Sequence, residues 1–479
     1  MFNLLGRNEI SDIHVAAMEV LENVGVMVQH DKALKLLGDA GADVDEKSKV
    51  VKIPESLLQD ALQKTPGRHL MASRNPKHDF VIGDGASYYT NAFGAHYTID
   101  LETGERRLST LKDLEEFTLL ADYFPTVDYI KPNILPQDVS KTIWEQEMAL
   151  AMFKNAEKHL SLVALTPQGW RDVIRMSMIA AGGEEEFIKN PSFIDTGFNN
   201  VPPLKYTPEI IDMILECARY KIPFDISTGA LASASAPVTL AGTIVQGIVE
   251  NHVIVVLTQL VGPGTPIMWG SCATILDQRY GTAAYGSPEN GLIHAAFSQM
   301  ARFYGIPYYG AAGVIDSKIP DHQAVYENTI NVLVATLAGA DVVHDAVYGI
   351  VEAGVTASYE LFGISNEICG AIKRIAKGMR VTKETLAADI IAAVGHEKNY
   401  LNTPEALRFT KKHLLEEQWQ PVLTERASRP EWEKRGSKDM FQRAKEQVKE
   451  ILSNHKVEPL GKDVEAEMRK IIDKRAKGK

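Results

Sequence analysis

His344 and Asp345 close a short apolar run beginning at Asp341, and Tyr348 follows in the next loop. A histidine just past a strand is well placed to touch a substrate, because it presents a donor and an acceptor at neutral pH. The stretch before it, PYYGAAGVIDSKIPDHQAVYE, runs from a strand (Pro307 to Gly310) through a glycine-broken loop carrying Asp316, Ser317 and Lys318. A helix then starts near Pro320, with Asp321, His322 and Gln323 in its first turn. Asp316 and Gln323 are the candidates here for polar catalysis. Asp321, close behind a first-turn proline, reads more simply as a helix cap.

Other expected strand ends supply Gln137, Asp138, Thr166, Asn199, Asn200, Ser271 and Cys272. Aromatic residues in reach of the same face are Tyr89, Phe93 and Tyr97, then Phe198, Trp269, Tyr308, Tyr309 and Tyr348. The set is rich in rings and amides and short of the paired carboxylates or strand-end lysine that hydrolases and aldolases use. Such a lining suits a cation held against π-faces; barrel packing is the plain alternative for any one ring. The thirteen histidines form no HxH, HxxxH or HExxH, so no metal is expected. Asp12-Ile13-His14 begins like a corrinoid-carrying DxHxxG signature but lacks the glycine and lies on an amphipathic helix.

What positions these residues is a regular alternation. Candidate strands are Val127 to Leu135, Leu160 to Leu165, Phe193 to Gly197, Phe224 to Thr228, Ile267 to Ala273, Pro307 to Gly310, Asp341 to His344 and Thr356 to Gly363. Helical stretches separate them, so the pattern predicts an α/β fold, a (β/α)8 TIM-type barrel over residues 106–380. Residues 1–105 read as an α+β region of helices and short strands (HLMAS, DFVIG, SYYTN, AHYTID), and residues 381–479 as a helical, charged extension.

Composition narrows the class. At 479 residues and 45% hydrophobic the chain can bury a large core. Its formal charge of −11 speaks against general nucleic-acid binding. From Gln420 onward 16 Lys and Arg face 11 Asp and Glu, which makes that tail +5 and the remainder −16. The longest apolar run, Val238 to Val261, is interrupted by Gln246, Glu250, Asn251 and His252 and reads as a buried helix of the barrel wall, not a membrane span. No export signal is evident, and Cys217, Cys272 and Cys369 form no CxxC, so a reducing cytoplasm is expected. No glycine-rich phosphate loop follows a strand.

Three runs carry a family resemblance: DLETGERRLSTLKDLEEFTLLADYFPTVDYI, AAGVIDSKIPDHQAVYE and EEQWQPVLTERASRPEWEKRG. They resemble the trimethylamine:corrinoid methyltransferase superfamily over essentially the full length. In the founding enzymes the loop before the D-S-K run carries pyrrolysine; here it reads Gly310-Ala311-Ala312-Gly313-Val314. The chain therefore resembles the non-pyrrolysine branch, whose members demethylate quaternary amines. The resemblance implies a (β/α)8 barrel and transfer of a methyl from glycine betaine, leaving dimethylglycine, or from proline betaine, carnitine or γ-butyrobetaine. It implies as acceptor a cob(I)alamin carried by a separate corrinoid protein, with no cofactor bound tightly. His344 matches the histidine associated with substrate binding in the glycine betaine enzymes. One departure is Tyr400 to Glu405, which stands where many relatives have a histidine-rich run. A cytoplasmic homo-oligomer is expected, in the setting of methylotrophy, methanogenesis or acetogenesis.

Two other classes compete: a lyase or aldolase on the same fold, weakened by the missing strand-end lysine, and a non-catalytic betaine-binding protein, weakened by the missing export signal.

Overall fold

The computed structural model describes residues 2–478. Eight parallel strands close into a barrel: β1 Tyr88–Asn91, β2 Tyr129–Ile130, β3 His159–Ser161, β4 Ile194–Asn199, β5 Phe224–Thr228, β6 Ile267–Ser271, β7 Tyr308–Ala311 and β8 Val342–Val347. They neighbour one another in chain order, and β8 pairs with β1 to close the ring. The outer helices are α1 Leu111–Tyr123, α2 Trp144–Asn155, α3 Pro167–Ala180, α4 Pro208–Tyr220, α5 Leu240–Val261, α6 Pro288–Tyr304, α7 His322–Ala338 and α8 Tyr359–Ala376. The (β/α)8 expectation is met. Strands such as β5 and β8 are buried along their whole length, as parallel strands covered on both faces must be.

Two strand assignments need correction. The first barrel strand is β1, from within residues 1–105 expected to form a separate α+β region. The run Thr356 to Gly363 is not the eighth strand. Thr356–Ser358 belongs to a side sheet with Ile350–Val351, Tyr97–Ile99 and Arg106–Leu108. Ser358 accepts the N–H of Leu361 and so starts α8, which takes the rest of the apolar run. The expected strand from Val127 to Leu135 shrinks to two residues because Pro132 has no N–H for the ladder.

The N-terminal end of the barrel has a floor. A hairpin, His69–Met71 with Phe80–Ile82, seats Met71, Phe80 and Ile82 among Tyr88, Tyr129, Met268, Tyr309 and Val342. Phe80 stacks on Tyr129 at 5.6 Å, and His159 Nδ1 lies 2.6 Å from the Ala72 carbonyl. These contacts join six of the eight strands to one plug.

Outside the barrel, helices Arg7–Asn23, Asp31–Asp39 and Glu55–Lys64 pack on α5. That explains why α5 is apolar all round: one side meets the barrel and the other this layer. Its Glu250 is buried and accepts hydrogen bonds from Leu204 N–H, Gln246 and Thr228. It is the one helix among the described residues long and apolar enough to cross a membrane, and most of it is buried in the fold. At the other terminus Met440–Asn454 packs on α8 and α1, and Lys462–Ala476 on α3 and α2.

Candidate active site

Lys131 directly follows β2, and its contacts show that its side chain reaches into the lumen. Lys131 Nζ donates to Tyr309 Oη at 2.5 Å and stands 3.8 Å from Asp225 Oδ1. Those partners lie on β7 and β5, so the lysine crosses the barrel. The Lys131 side chain is 7% exposed and Asp225 4%, a buried pair. Burial pushes the Asp225 carboxyl up to about 6, against the pull of the Lys131 charge. Ser227, one step on along the same face of β5, donates to Asp225 Oδ2 at 2.9 Å, while Oδ1 has no hydrogen-bond partner. Gly197 makes room for this carboxylate: a Cβ there would lie 2.3 Å from Asp225 Oδ1.

One layer nearer the mouth lie His344 and Asp345. The imidazole stacks on the Tyr309 ring, centroids 4.9 Å apart. Thr90 spends its hydroxyl proton on the Asn91 carbonyl at 2.8 Å, so its oxygen accepts from His344 Nδ1–H at 3.1 Å. The neutral ring then has its acceptor lone pair on Nε2, which lies 3.1 Å from Asp345 Oδ2. Burial, with the Lys131 charge beside it, holds the His344 imidazole well below the usual range. Burial pushes Asp345 up to about 8. Both directions describe a neutral pair in which the Asp345 acid O–H donates to His344 Nε2. Asp345 Oδ1 is buried and has no partner.

Asp345 also sits in the left-handed region, φ 63°, where β8 shifts register against β1. Gly313 permits this: a Cβ at that position would meet the Asp345 carbonyl oxygen at 1.7 Å. Glycine is required there for close approach.

The other expected site residues divide. Phe93 is half-buried in the loop that follows β1. Tyr348 is buried at the same end, and Asn199 stands exposed on the rim, its Oδ1 3.9 Å from Cys272 Sγ. Tyr89 faces the other way, its hydroxyl 2.8 Å from Thr336 of α7. Phe198 packs edge-on against Phe224, outside the lumen. Tyr97 lies in the side sheet with the Arg106 guanidinium 3.5 Å over its ring. Asp316 accepts the N–H groups of Tyr285 and Gly286 at 3.1 and 2.8 Å, and Gln323 donates to Glu327 at 2.6 Å. Glu327 in turn receives the N–H groups of Asp316 and Ser317. Asp316 and Gln323 therefore brace the loop after β7. Asp321 caps α7, accepting from Gln323 and Ala324.

Lys131, Asp225 and Asp195 were absent from the expected site. Asp195 Oδ1 lies 3.3 Å from His159 Nε2, below the Lys131 layer. Each of these charged residues interrupts an otherwise apolar strand run (YIK, FID, FDI), a signal that alternation makes legible. The expected shortage of strand-end cations is corrected by Lys131. Among the described residues no group of three His, Cys, Asp or Glu stands close enough to hold a metal ion.

The fold resembles solved methyltransferases. The monomethylamine methyltransferase of Methanosarcina barkeri superposes with a TM-score of 0.50 at 11% identity, covering 94% of this chain and 99% of that one. At that identity the likeness concerns the fold alone. Sequence relatives are nearer. A trimethylamine methyltransferase of Desulfitobacterium hafniense (strain DCB-2) is 35% identical, covering 97% of this chain and 92% of its own length. One from Methanosarcina barkeri (strain Fusaro) is 34% identical over 98% and 95%. A glycine betaine methyltransferase of Desulfitobacterium hafniense (strain Y51) is 29% identical over 99% and 98%. The trimethylamine methyltransferase family model matches residues 1–479, so this barrel, with its buried lysine and its neutral histidine–carboxyl pair, belongs to that family of methyltransferases.

Proposed function

We propose that the chain moves a methyl group from a quaternary amine, glycine betaine first, to the Co(I) of a corrinoid protein. Proline betaine, carnitine and γ-butyrobetaine are the alternatives of the same chemistry. The observation that carries this reading is the end of β7, where Gly310 to Gly313 offer no reactive side chain beside a lumen that holds two half-satisfied carboxyls. In the resemblance, that loop is where the trimethylamine enzymes keep their activating residue.

A quaternary ammonium needs no such residue. Its nitrogen is permanently cationic, so when the C–N bond breaks the electron pair stays on nitrogen and a neutral tertiary amine leaves. The acceptor supplies the pair that takes up the methyl carbon. What remains for the protein is to orient one methyl towards the mouth, exclude water and hold the rest still. Asp225, with the rings of Tyr309, Tyr348 and Phe93, suits the ammonium. The Lys131 ammonium, with two donors beyond its bond to Tyr309, suits a betaine carboxylate, and the His344–Asp345 pair lies beside it. The loops after β3, β5, β6 and β7 carry exposed Leu165, Val238, Tyr280 and Ile319, an apolar collar around the mouth fit for a partner protein.

The test is to supply cob(I)alamin and each amine at saturation and follow loss of the Co(I) absorbance. Glycine betaine reacts; dimethylglycine and trimethylamine, whose nitrogens lose a proton rather than a methyl, do not. Discrimination belongs in the transfer step, because one methyl in an apolar pocket is worth only about 1–3 kcal/mol of binding. Comparable turnover of trimethylamine refutes the proposal.

A further inference from the structure

In a regular strand His344 and Asp345 would point to opposite faces. Here they meet. The left-handed backbone of Asp345, φ 63°, turns its side chain back beside its neighbour's, so that Oδ2 lies 3.1 Å from His344 Nε2. Thr90 settles what that contact contains. Its Oγ1 accepts from the Asp345 N–H at 3.2 Å and gives its one proton to the Asn91 carbonyl, which leaves His344 Nδ1 to donate. A single proton therefore fills the contact between Nε2 and Oδ2, and the pair is neutral. Both side chains are more than nine-tenths buried, and Asp345 Oδ1 meets no donor among the described residues.

Around this pair the lumen is balanced. Lys131 and Asp225 cancel across the barrel. Burial keeps Cys272, Tyr285, Tyr309 and Tyr348 protonated beside Asp345, and keeps His294, behind His344, uncharged. A betaine entering here brings one charge of each sign, which Asp225 and Lys131 divide between them. A quaternary ammonium without a carboxylate brings an unmatched charge that it cannot shed, and burying it without a counter-ion is prohibitive. The proton between His344 and Asp345 is the one that the lumen can give up in return. We propose that a carboxylate-free quaternary ammonium enters in exchange for that proton, whereas a betaine enters without exchange. This rests on the reading that the lumen takes quaternary amines. The proton passes to the buffer through the mouth, and the Asp345 carboxylate becomes the counter-ion. One contact thereby lets pH choose within one substrate class. Because the Asp345 carboxyl of the empty site is pushed up to about 8, the bare cation binds more tightly as pH rises towards that value.

Titration calorimetry of the full-length protein counts the protons. Tetramethylammonium chloride and glycine betaine are each titrated at pH 7 in phosphate and in Tris, whose ionisation enthalpies differ. The expected release is about one proton per tetramethylammonium and about none per betaine. The affinity for tetramethylammonium relative to betaine should rise roughly tenfold between pH 6.5 and pH 8. Asp345→Asn should abolish both the release and the rise. If that variant fails to fold, the contrast between the two ligands in the wild type decides alone. Tetramethylammonium that binds without releasing a proton overturns the exchange and leaves the methyl-transfer reading standing. So does equal release by both ligands, release that Asp345→Asn leaves intact, or a site that binds betaine and refuses tetramethylammonium throughout this pH range. Failure of both ligands to bind overturns the exchange and the reading together.

Discussion

Asp345→Asn tests the protonation state deduced for the site. In the native chain the Asp345 acid donates to His344 Nε2, and its carboxyl is pushed up to about 8 by burial, from an ordinary value of 3.8. A carboxyl raised in the folded state binds its proton more tightly there than in the unfolded chain. Its contribution is therefore greatest at low pH and falls as pH rises from about 4 to about 8. Working the two values through the linkage relation, the wild type should lose about 2–3 kcal/mol between pH 6 and pH 9 from this residue. Asparagine has the acid's shape and an N–H to donate to Nε2, and it tolerates the left-handed backbone of residue 345. The variant should match the wild type within about 1 kcal/mol at pH 6 and exceed it by about 2–3 kcal/mol at pH 9. Urea unfolding of both proteins at pH 6, 7.5 and 9 measures this as a difference of differences, in which the titration of Asp225 and other shared groups cancels. Equal pH slopes refute the reasoning. So does a large loss in the variant at pH 6, which would mean that an imidazolium–carboxylate ion pair had been broken.

Three further outcomes are expected. His344→Ala removes the ring stacked on Tyr309 and the partner of Asp345, and should weaken betaine binding ten- to a hundredfold in calorimetry, a loss of roughly 1.5–3 kcal/mol; unchanged affinity removes His344 from the site. Lys131→Met should weaken betaine by a similar factor while leaving tetramethylammonium, which has no carboxylate, within about threefold; equal losses for both ligands mean the lysine serves the fold alone. Gly197→Ala drives a methyl into the Asp225 carboxylate and should cost about 1–3 kcal/mol in urea unfolding; a neutral result means the carboxylate is free to swing aside.

Much of the barrel was legible because parallel strands covered by helices read as apolar runs separated by amphipathic ones. β5 and β6 were located almost to the residue. β1 was not, because four residues, Tyr88–Asn91, sit among the equally short strands of the floor hairpin and the side sheet, and nothing local says which of them joins the barrel. The site was half legible. His344 and Tyr348 stand towards the end of β8 and just past it, where position alone marks them, whereas Tyr309 lies near the start of β7. Lys131 and Asp225 lie one layer deeper, where charge is expensive unless paired, and the pairing spans strands far apart in the chain. Tyr89 and Phe198 were assigned to the mouth from residue type, but alternation sends both towards the helix layer. Asp316 shows the opposite trap: an exposed-looking loop carboxylate whose two oxygens are both spent on backbone N–H groups.

The floor hairpin has a kinetic consequence. With Met71, Phe80 and Ile82 seated in the N-terminal end, the barrel has a single doorway. A methyl acceptor that docks over the mouth closes that doorway. On the proposed reading the amine must then be inside before the acceptor arrives, and the demethylated product is held until the acceptor leaves. Binding order is thereby set by architecture: excess acceptor should slow turnover at low amine concentration, and release of product should follow departure of the methylated partner.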